Sequence, residues 1–355
     1  MSAAVQLLFS LGPSGPPPIQ SIVFVGLNLN PYIGAWKFSS SGWGTKYSNP
    51  ASLPPYSGYG VAYTVVSDKP NVVAIVTNTT PYIVAYPWTN SSGFGTKYSN
   101  PATLPGTGTN GDGVAFTSAG DAIAVAHDTS PYVSVYPWSS STGFGTKYSN
   151  PATLPTGKGQ GVAFTSAGDA IAVTHSTSPY ITAYPWSSSG FGTKYSDPAT
   201  LPTGIGFSVR FSPAGDAIAV AHYTSPYITA YPFSSSTGFG TKYSDPATLP
   251  TGTGWAVAFN PAGDAVAIEH ENYPTVSAYP FNSSTGFGTK YSNPATTPGS
   301  GAPGGVSFDR TGDNIVVSSN ATPRIQAYPF NSSTGFGTKY ANPTGATFAY
   351  RVAFY

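Results

Sequence analysis

The sequence predicts an all-β fold, a seven-bladed β-propeller of four-stranded blades whose C-terminal strand A pairs with N-terminal strands B, C and D. Three observations predict it. The hexapeptide Gly-Phe-Gly-Thr-Lys-Tyr, with Trp once for Phe, occurs seven times. Its lysines, Lys46, Lys97, Lys147, Lys194, Lys242, Lys290 and Lys339, stand 51, 50, 47, 48, 48 and 49 residues apart. That period is slightly longer than the roughly 40–45 residues of a four-stranded propeller unit. The third observation is the register of the chain ends, set out below.

Each unit divides into four short strands, with the third blade as template. Strand A is Gly161 to Thr165, followed by the tight turn Ser166-Ala167-Gly168-Asp169. Strand B is Ala170 to His175, and Ser176-Thr177-Ser178 is a short loop. Strand C is Pro179 to Trp186, and Ser187 to Gly190 turns the chain into strand D, Phe191 to Ser196. A Pro- and Thr-rich connection, Asp197 to Gly206, leads to the next strand A. The strand stretches are rich in Val, Ile, Tyr and Phe, which fit a pleated, packed surface, and no period of 3.6 is present.

Strand A recurs at Val61, Val114, Val162, Val209, Val257, Val306 and Val352, whereas strand B is first met at Ile22, ahead of any strand A. The chain therefore begins with B, C and D and ends with a lone A. Seven complete blades exist only if that last strand joins the first three, which closes the ring through in-sheet hydrogen bonds. An open solenoid is the alternative for short repeats, but it needs atypical caps at both ends; here the two end fragments complement each other.

Composition narrows the function. The 355-residue chain is long enough for a large core and has 14% aromatic residues, which argues against disorder. Its 41 Gly and 35 Pro fit many turns. Only 8% of residues are charged and the net charge is +1, so a nucleic-acid partner is not expected. Without cysteine there is no disulfide, thiolate metal site or thiol nucleophile. No apolar run reaches bilayer length. Residues 1–20 form a separate arm with a Pro-rich linker, Pro16-Pro17-Pro18. Its apolar stretch, Ala3 to Leu11, has no preceding Lys or Arg, unlike a secretory signal. Leu7, Leu8, Phe9 and Leu11 are the candidate docking residues of this arm, and residues 21–355 are the propeller.

The strings Val209–Asp216 (VRFSPAGD), Ala217–His222 (AIAVAH), Ser225–Tyr231 (SPYITAY) and Phe239–Tyr243 (FGTKY) resemble the WD40-like propeller repeats of phage-encoded proteins and some bacterial surface proteins. The resemblance covers residues 21–355. It departs from ordinary WD40 units at Tyr184-Pro185, which replaces Trp-Asp, so the hydrogen-bonded tetrad of those blades is not carried over.

The residues that bear chemistry are mostly repeated, which favours scaffold roles. His127, His175, His222 and His270 all end strand B, where other blades carry Leu27, Thr77 or Ser319. Spread around a ring, they cannot share one metal ion; they either satisfy the B–C loop or meet a ligand on one face. Asp121, Asp169, Asp216, Asp264 and Asp313 follow Gly in the A–B turn, a place favoured by Asp for backbone reasons. The lysines lie in outer strand D, where charge guards an exposed edge. Glu269-His270-Glu271 is the one polar triplet confined to a single blade. Tyr56 and Tyr59, with the counterpart loop Thr107 to Asp112, vary between blades, as binding loops do.

The resemblance implies a non-enzymatic virion protein, a capsid or tail decoration or host-binding head. Its partners are other virion proteins through residues 1–20, with a host-surface glycan or protein as a further partner. Neither cofactor nor metal is expected. A secreted or cell-surface carbohydrate-binding module is the alternative, which would place the chain outside the cell or on its surface. A lactonase-type enzyme would need acids or histidines converging near the axis.

Overall fold

Strand B of the third blade, Ala170–His175, is buried at every position, because both faces of each sheet are covered by neighbouring blades. The two faces differ in size. Alanines of one blade receive the large side chains of the next: Ala163, Ala170, Ala172 and Ala183 pack against Phe211, Ile218, Val220 and Tyr231. Small facing large lets adjacent sheets approach closely, and the core is thereby divided into clusters between blades.

The computed structural model describes residues 21–64, 70–106, 113–297, 299, 304–319, 321–345 and 349–354. They form seven four-stranded antiparallel sheets, numbered here as blades 1 to 7, blade 7 being the one that joins both chain ends. Its strands are Ala349–Phe354 (A), Ser21–Leu27 (B), Ile33–Ser39 (C) and Gly42–Lys46 (D). Val25 pairs with Val352 and Phe24 with Ala353, as the end register requires. Phe354 stacks edge-on against Phe38 at 4.9 Å.

The Tyr of the Tyr-Pro pair latches each blade. Tyr184 donates its hydroxyl proton to Thr153 O at 2.8 Å and Tyr231 to Thr200 O at 2.8 Å, tying strand C to the connection that enters the same blade. In blade 7 the equivalent residue is Trp36, whose Nε1 donates to Thr344 O at 3.0 Å. A different side chain makes the same latch on the connection leading to the closing strand.

Strand D is shorter than expected. In place of Phe191 to Ser196, blade 3 has Gly190–Phe191, and the repeated lysines fall beyond it. Pro185 accounts for this. Its carbonyl accepts from Gly192 N at 2.8 Å, so its backbone nitrogen also faces strand D, where proline has no hydrogen to donate. Lys37 replaces this proline in blade 7, and there strand D extends over five residues. Outer edges are therefore protected chiefly by being short. The lysines fold back instead: Lys97 donates to Asn100 Oδ1 at 2.7 Å, and Lys194 pairs with Asp197 at 2.5 Å.

Candidate functional site

Strand A of each blade faces the axis. Toward the A–B turns these strands enclose a channel of about 350 Å³ lined by Tyr63, Phe116, Phe164, Phe211, Phe259 and Phe308. Deeper, the axis narrows to a void of about 20 Å³ lined by Ser208, Arg210, Arg351 and neighbouring apolar residues. Arg310 reaches the wide mouth beside Ser118 and Ser166. Three of the four arginines, Arg210, Arg310 and Arg351, thus gather along the axis, with Arg324 the fourth.

At the opposite face, where the B–C loops lie, the blades differ two residues before the strand-A valine: Tyr59, Gln160, Phe207, Trp255 and Gly304. Phe207 and Trp255 pack ring on ring, with centroids 4.3 Å apart and planes 33° apart. Tyr223, 56% exposed, stands edge-on to Phe207. The carbonyl of Trp255 accepts from Arg351 Nη2 at 3.1 Å. Glu269 is fully buried on strand B of blade 5, opposite Ala256. Its carboxylate abuts Gly304, where a Cβ would collide with Oε1, and Gly305 in turn lies against the backbone of Arg351. Blades 4 to 7 therefore bring a carboxylate, a guanidinium and an aromatic pair to one end of the axis.

Of the residues singled out in the sequence, Glu269 belongs to this sector. Glu271 is exposed beyond the strand end, its N–H donating to Thr253 O at 3.0 Å. The four histidines are fully buried, so they offer no contact to a ligand on the surface. Nε2 of His175 lies 2.9 Å from Thr182 Oγ1, and Nδ1 lies 2.7 Å from Thr177 O. Burial lowers all four to about 4, outweighing the loop carbonyls that favour the charged ring. These imidazoles stay neutral; Nε2 of each meets a strand-C hydroxyl, and His175 also reaches the B–C loop through Thr177 O.

Tyr56 is 47% exposed and stacks on Tyr32 at 5.8 Å. Tyr59 is half-buried and accepts from Asn78 Nδ2 at 3.4 Å. Neither joins the aromatic pair. The turn aspartates close their own turns: Thr165 Oγ1 donates to Asp169 Oδ1 at 2.6 Å and accepts from Ala170 N at 3.1 Å. Burial pushes Asp169 up, but the Thr165 and Ser235 hydroxyls and its own backbone N–H bring it below the ordinary carboxylate range. Among the described residues no group of three His, Asp or Glu is placed to hold a metal ion. Leu7, Leu8, Phe9 and Leu11, the whole arm 1–20 and the loop 107–112 lie outside the described residues.

Arg351, Phe207, Trp255, Ser208 and Arg210 were not marked by the sequence reading. Their signal was available: Ser208 and Arg351 replace the Gly before the strand-A valine, Arg210 replaces the Ala after it, and Phe207 and Trp255 stand at a position that varies from blade to blade.

No family model and no curated protein matches the chain. Solved structures do. A putative 6-phosphogluconolactonase from Bacteroides fragilis is 12% identical, with a TM-score of 0.72 over 95% of this chain and 98% of its own. A putative 6-phosphogluconolactonase from Bacteroides uniformis is 14% identical, with a TM-score of 0.70 over 95% and 99%. The periplasmic gluconolactonase PpgL of Pseudomonas aeruginosa is 13% identical, with a TM-score of 0.67 over 94% and 99%. At these identities the likeness is one of fold.

These findings correct the functional expectation. The expected kinship with phage-encoded WD40-like proteins, and with it the virion role and virion partners, gives way to bacterial propellers described as lactonases. That these similar structures are described as lactonases also runs against the expectation of a non-enzymatic protein. The physical reason is that the strings carrying the resemblance are scaffold, such as the buried strand B and the Tyr-Pro latch, and scaffold carries no record of function. No helix among the described residues is long and apolar enough to cross a membrane.

Proposed function

We propose that the chain is a propeller hydrolase that opens the ring ester of a sugar-derived lactone outside the cytoplasm. The carrying observation is the single sector of the ring where Glu269, Arg351 and the Phe207–Trp255 pair meet. The lactonases among similar solved structures support the reaction class, and the periplasmic gluconolactonase supports the compartment.

In this reading the apolar face of the sugar ring rests on Phe207 and Trp255, with Tyr223 at the rim. Glu269, buried in the resting structure, takes a proton from the attacking water, which reaches its carboxylate past Gly304, where no side chain stands in the way. Water adds to the lactone carbonyl, and the tetrahedral oxyanion forms in the positive field of Arg351. The C–O ring bond then breaks, the ring oxygen receives the proton, and an open-chain hydroxy acid leaves. Equivalent positions on other blades hold Gly, Val, Ala, Thr or Ser in place of Glu269, so chemistry is confined to one sector.

The test is hydrolysis of glucono-δ-lactone and related aldonolactones, followed by proton release. The wild type should exceed the uncatalysed rate, and Glu269→Gln and Arg351→Met should each lower kcat by about 10²–10³. Lactone rates equal to buffer across the series, with folded protein, would sink the proposal.

A further inference from the structure

Two loop positions set blades 4 and 5 apart from the rest. Directly after strand B the other blades carry Asn28, Asn78, Asp128, Ser176, Glu271 or Asn320, whereas blade 4 carries Tyr223. Directly before the proline of the B–C loop the other blades carry Asn30, Thr80, Ser130, Ser178, Ser225 or Thr322, whereas blade 5 carries Tyr273. Tyr273 is 67% exposed and Tyr223 is 56% exposed, which makes them the two most exposed large apolar side chains among the described residues. Aromatic rings held in water on adjacent blades, where the repeat otherwise has short polar side chains, mark a binding surface. The connection into blade 5 joins them. Thr253 Oγ1 donates to Tyr223 O at 3.4 Å, and Thr251 Oγ1 donates to Tyr273 O at 2.8 Å. Thr251 and Thr253 are two residues apart, within about 7 Å along the chain. From Trp255 on the inner strand Gly254–Phe259 this connection leads back toward outer strand Gly238–Phe239 of blade 4. The aromatic row therefore runs outward from the axis: the Phe207–Trp255 pair, then Tyr223 with its ring centroid 6.4 Å from that of Phe207, then Tyr273.

We propose that this row is a subsite for a neutral oligosaccharide, so that the substrate is an aldonolactone carrying further sugar units; the inference rests on the lactonase reading above and names its substrate class. The lactone ring lies on Phe207 and Trp255, the next unit meets Tyr223 and the third meets Tyr273. Each pyranose turns its C–H groups to a ring face, and its hydroxyls meet the polar groups of the same loops. These are the exposed Glu271 carboxylate and the exposed Asn272, whose Nδ2 donates to Thr251 O at 2.9 Å. Gly252, between the two threonines, lies against this amide, and a Cβ there would stand 2.7 Å from Asn272 Nδ2. Loop and connection are thus packed as one surface. Glu271 is the one charged residue in segments 223–226, 249–255 and 271–275, and an anion there repels phosphate. The row therefore selects unphosphorylated sugars.

The test compares cellotriono-δ-lactone with glucono-δ-lactone on the full chain. The wild type should favour the trisaccharide lactone by about tenfold in kcat/KM. Tyr273→Ala should cut that preference about fivefold, and Tyr273→Phe should keep it, because the ring and not the hydroxyl makes the stack. Tyr273 is exposed, so neither substitution disturbs the core. Calorimetric titration with cellotriose, which has no lactone to open, reads the same row without turnover. Its Kd should lie at least about tenfold below that of glucose and rise about fivefold in Tyr273→Ala. Equal kcat/KM for the two lactones overturns the subsite, and so does a preference or a cellotriose affinity that is unchanged in Tyr273→Ala. Hydrolysis of glucono-δ-lactone with no such preference removes the subsite and leaves the lactonase reading standing. Tyr273-dependent cellotriose binding with no lactone opened removes the hydrolase and leaves the saccharide row standing.

Discussion

Nε2 of His222 lies 2.9 Å from Thr229 Oγ1 on the adjoining strand, and the same relation joins His127 to Ser134, His175 to Thr182 and His270 to Ser277. A hydroxyl partner on strand C, seven residues on, recurs with each histidine. This pairing is what keeps four imidazoles inside the protein.

Those imidazoles make stability depend on pH. Burial lowers each from 6.5 to about 4, so between these values the unfolded chain binds more protons than the folded one. Stability is fully present above pH 6.5 and is lost as pH falls toward 4. At about 1.4 kcal/mol per pKa unit for each group, the four together are expected to cost several kcal/mol between pH 6.5 and 4.5. Urea denaturation across this range checks it. His222→Gln should flatten the pH slope by about a quarter; an unchanged slope contradicts the assignment.

The tyrosine latch is a second test. Tyr231→Phe removes the hydroxyl that donates to Thr200 O and should destabilise by about 1 kcal/mol, somewhat more if that carbonyl stays dry. Lys242→Ala, which breaks the exposed pair with Asp245, should change stability by less than about 1 kcal/mol. Chemical denaturation of the two variants side by side distinguishes the latch from a surface contact.

Ring closure depends on the last strand. Phe354 is 2% exposed and packs with Phe38, Trp36 and Val23 in the cluster between blades 6 and 7. Phe354→Ala is expected to cost about 3–5 kcal/mol. Hydrogen exchange should show the loss first in Ser21–Leu27, the strand it pairs with. Uniform loss around the ring would mean that closure is not the weak point.

Gly304 tests the position of the proposed base. A methyl group there meets the carbonyl of Ser318 and the carboxylate of Glu269. Gly304→Ala should lower kcat about tenfold or more while leaving KM for the lactone within about twofold, because the base moves and the aromatic seat does not. A KM effect without a kcat effect would place Gly304 in substrate binding.

The repeat spelled out blade number, strand order and closure, because strand, turn and latch are local devices that recur with each period. Strand B at Ala170–His175 was legible to the residue. Strand D was misjudged, since its length depends on whether residue 185 or its equivalent offers a hydrogen to the outer ladder, a fact of pairing and not of propensity. Repetition favoured a scaffold role for the histidines, and the stacked sheets supply what the sequence left open, full burial and a hydroxyl partner on strand C.

What the sequence by itself determined was a closed ring of seven similar sheets, because each unit carries its own alternation of apolar strands and turns. Only the tertiary structure decided where chemistry can lie. Glu269, Phe207, Trp255 and Arg351 come from strands as far as 144 residues apart in the chain (351 − 207) and meet because every strand A is wrapped around one axis, with strand B of blade 5, which carries Glu269, paired directly behind its strand A. The same convergence brings Arg210 and Arg351, from different blades, to one stretch of the axis, a juxtaposition that no linear spacing announces.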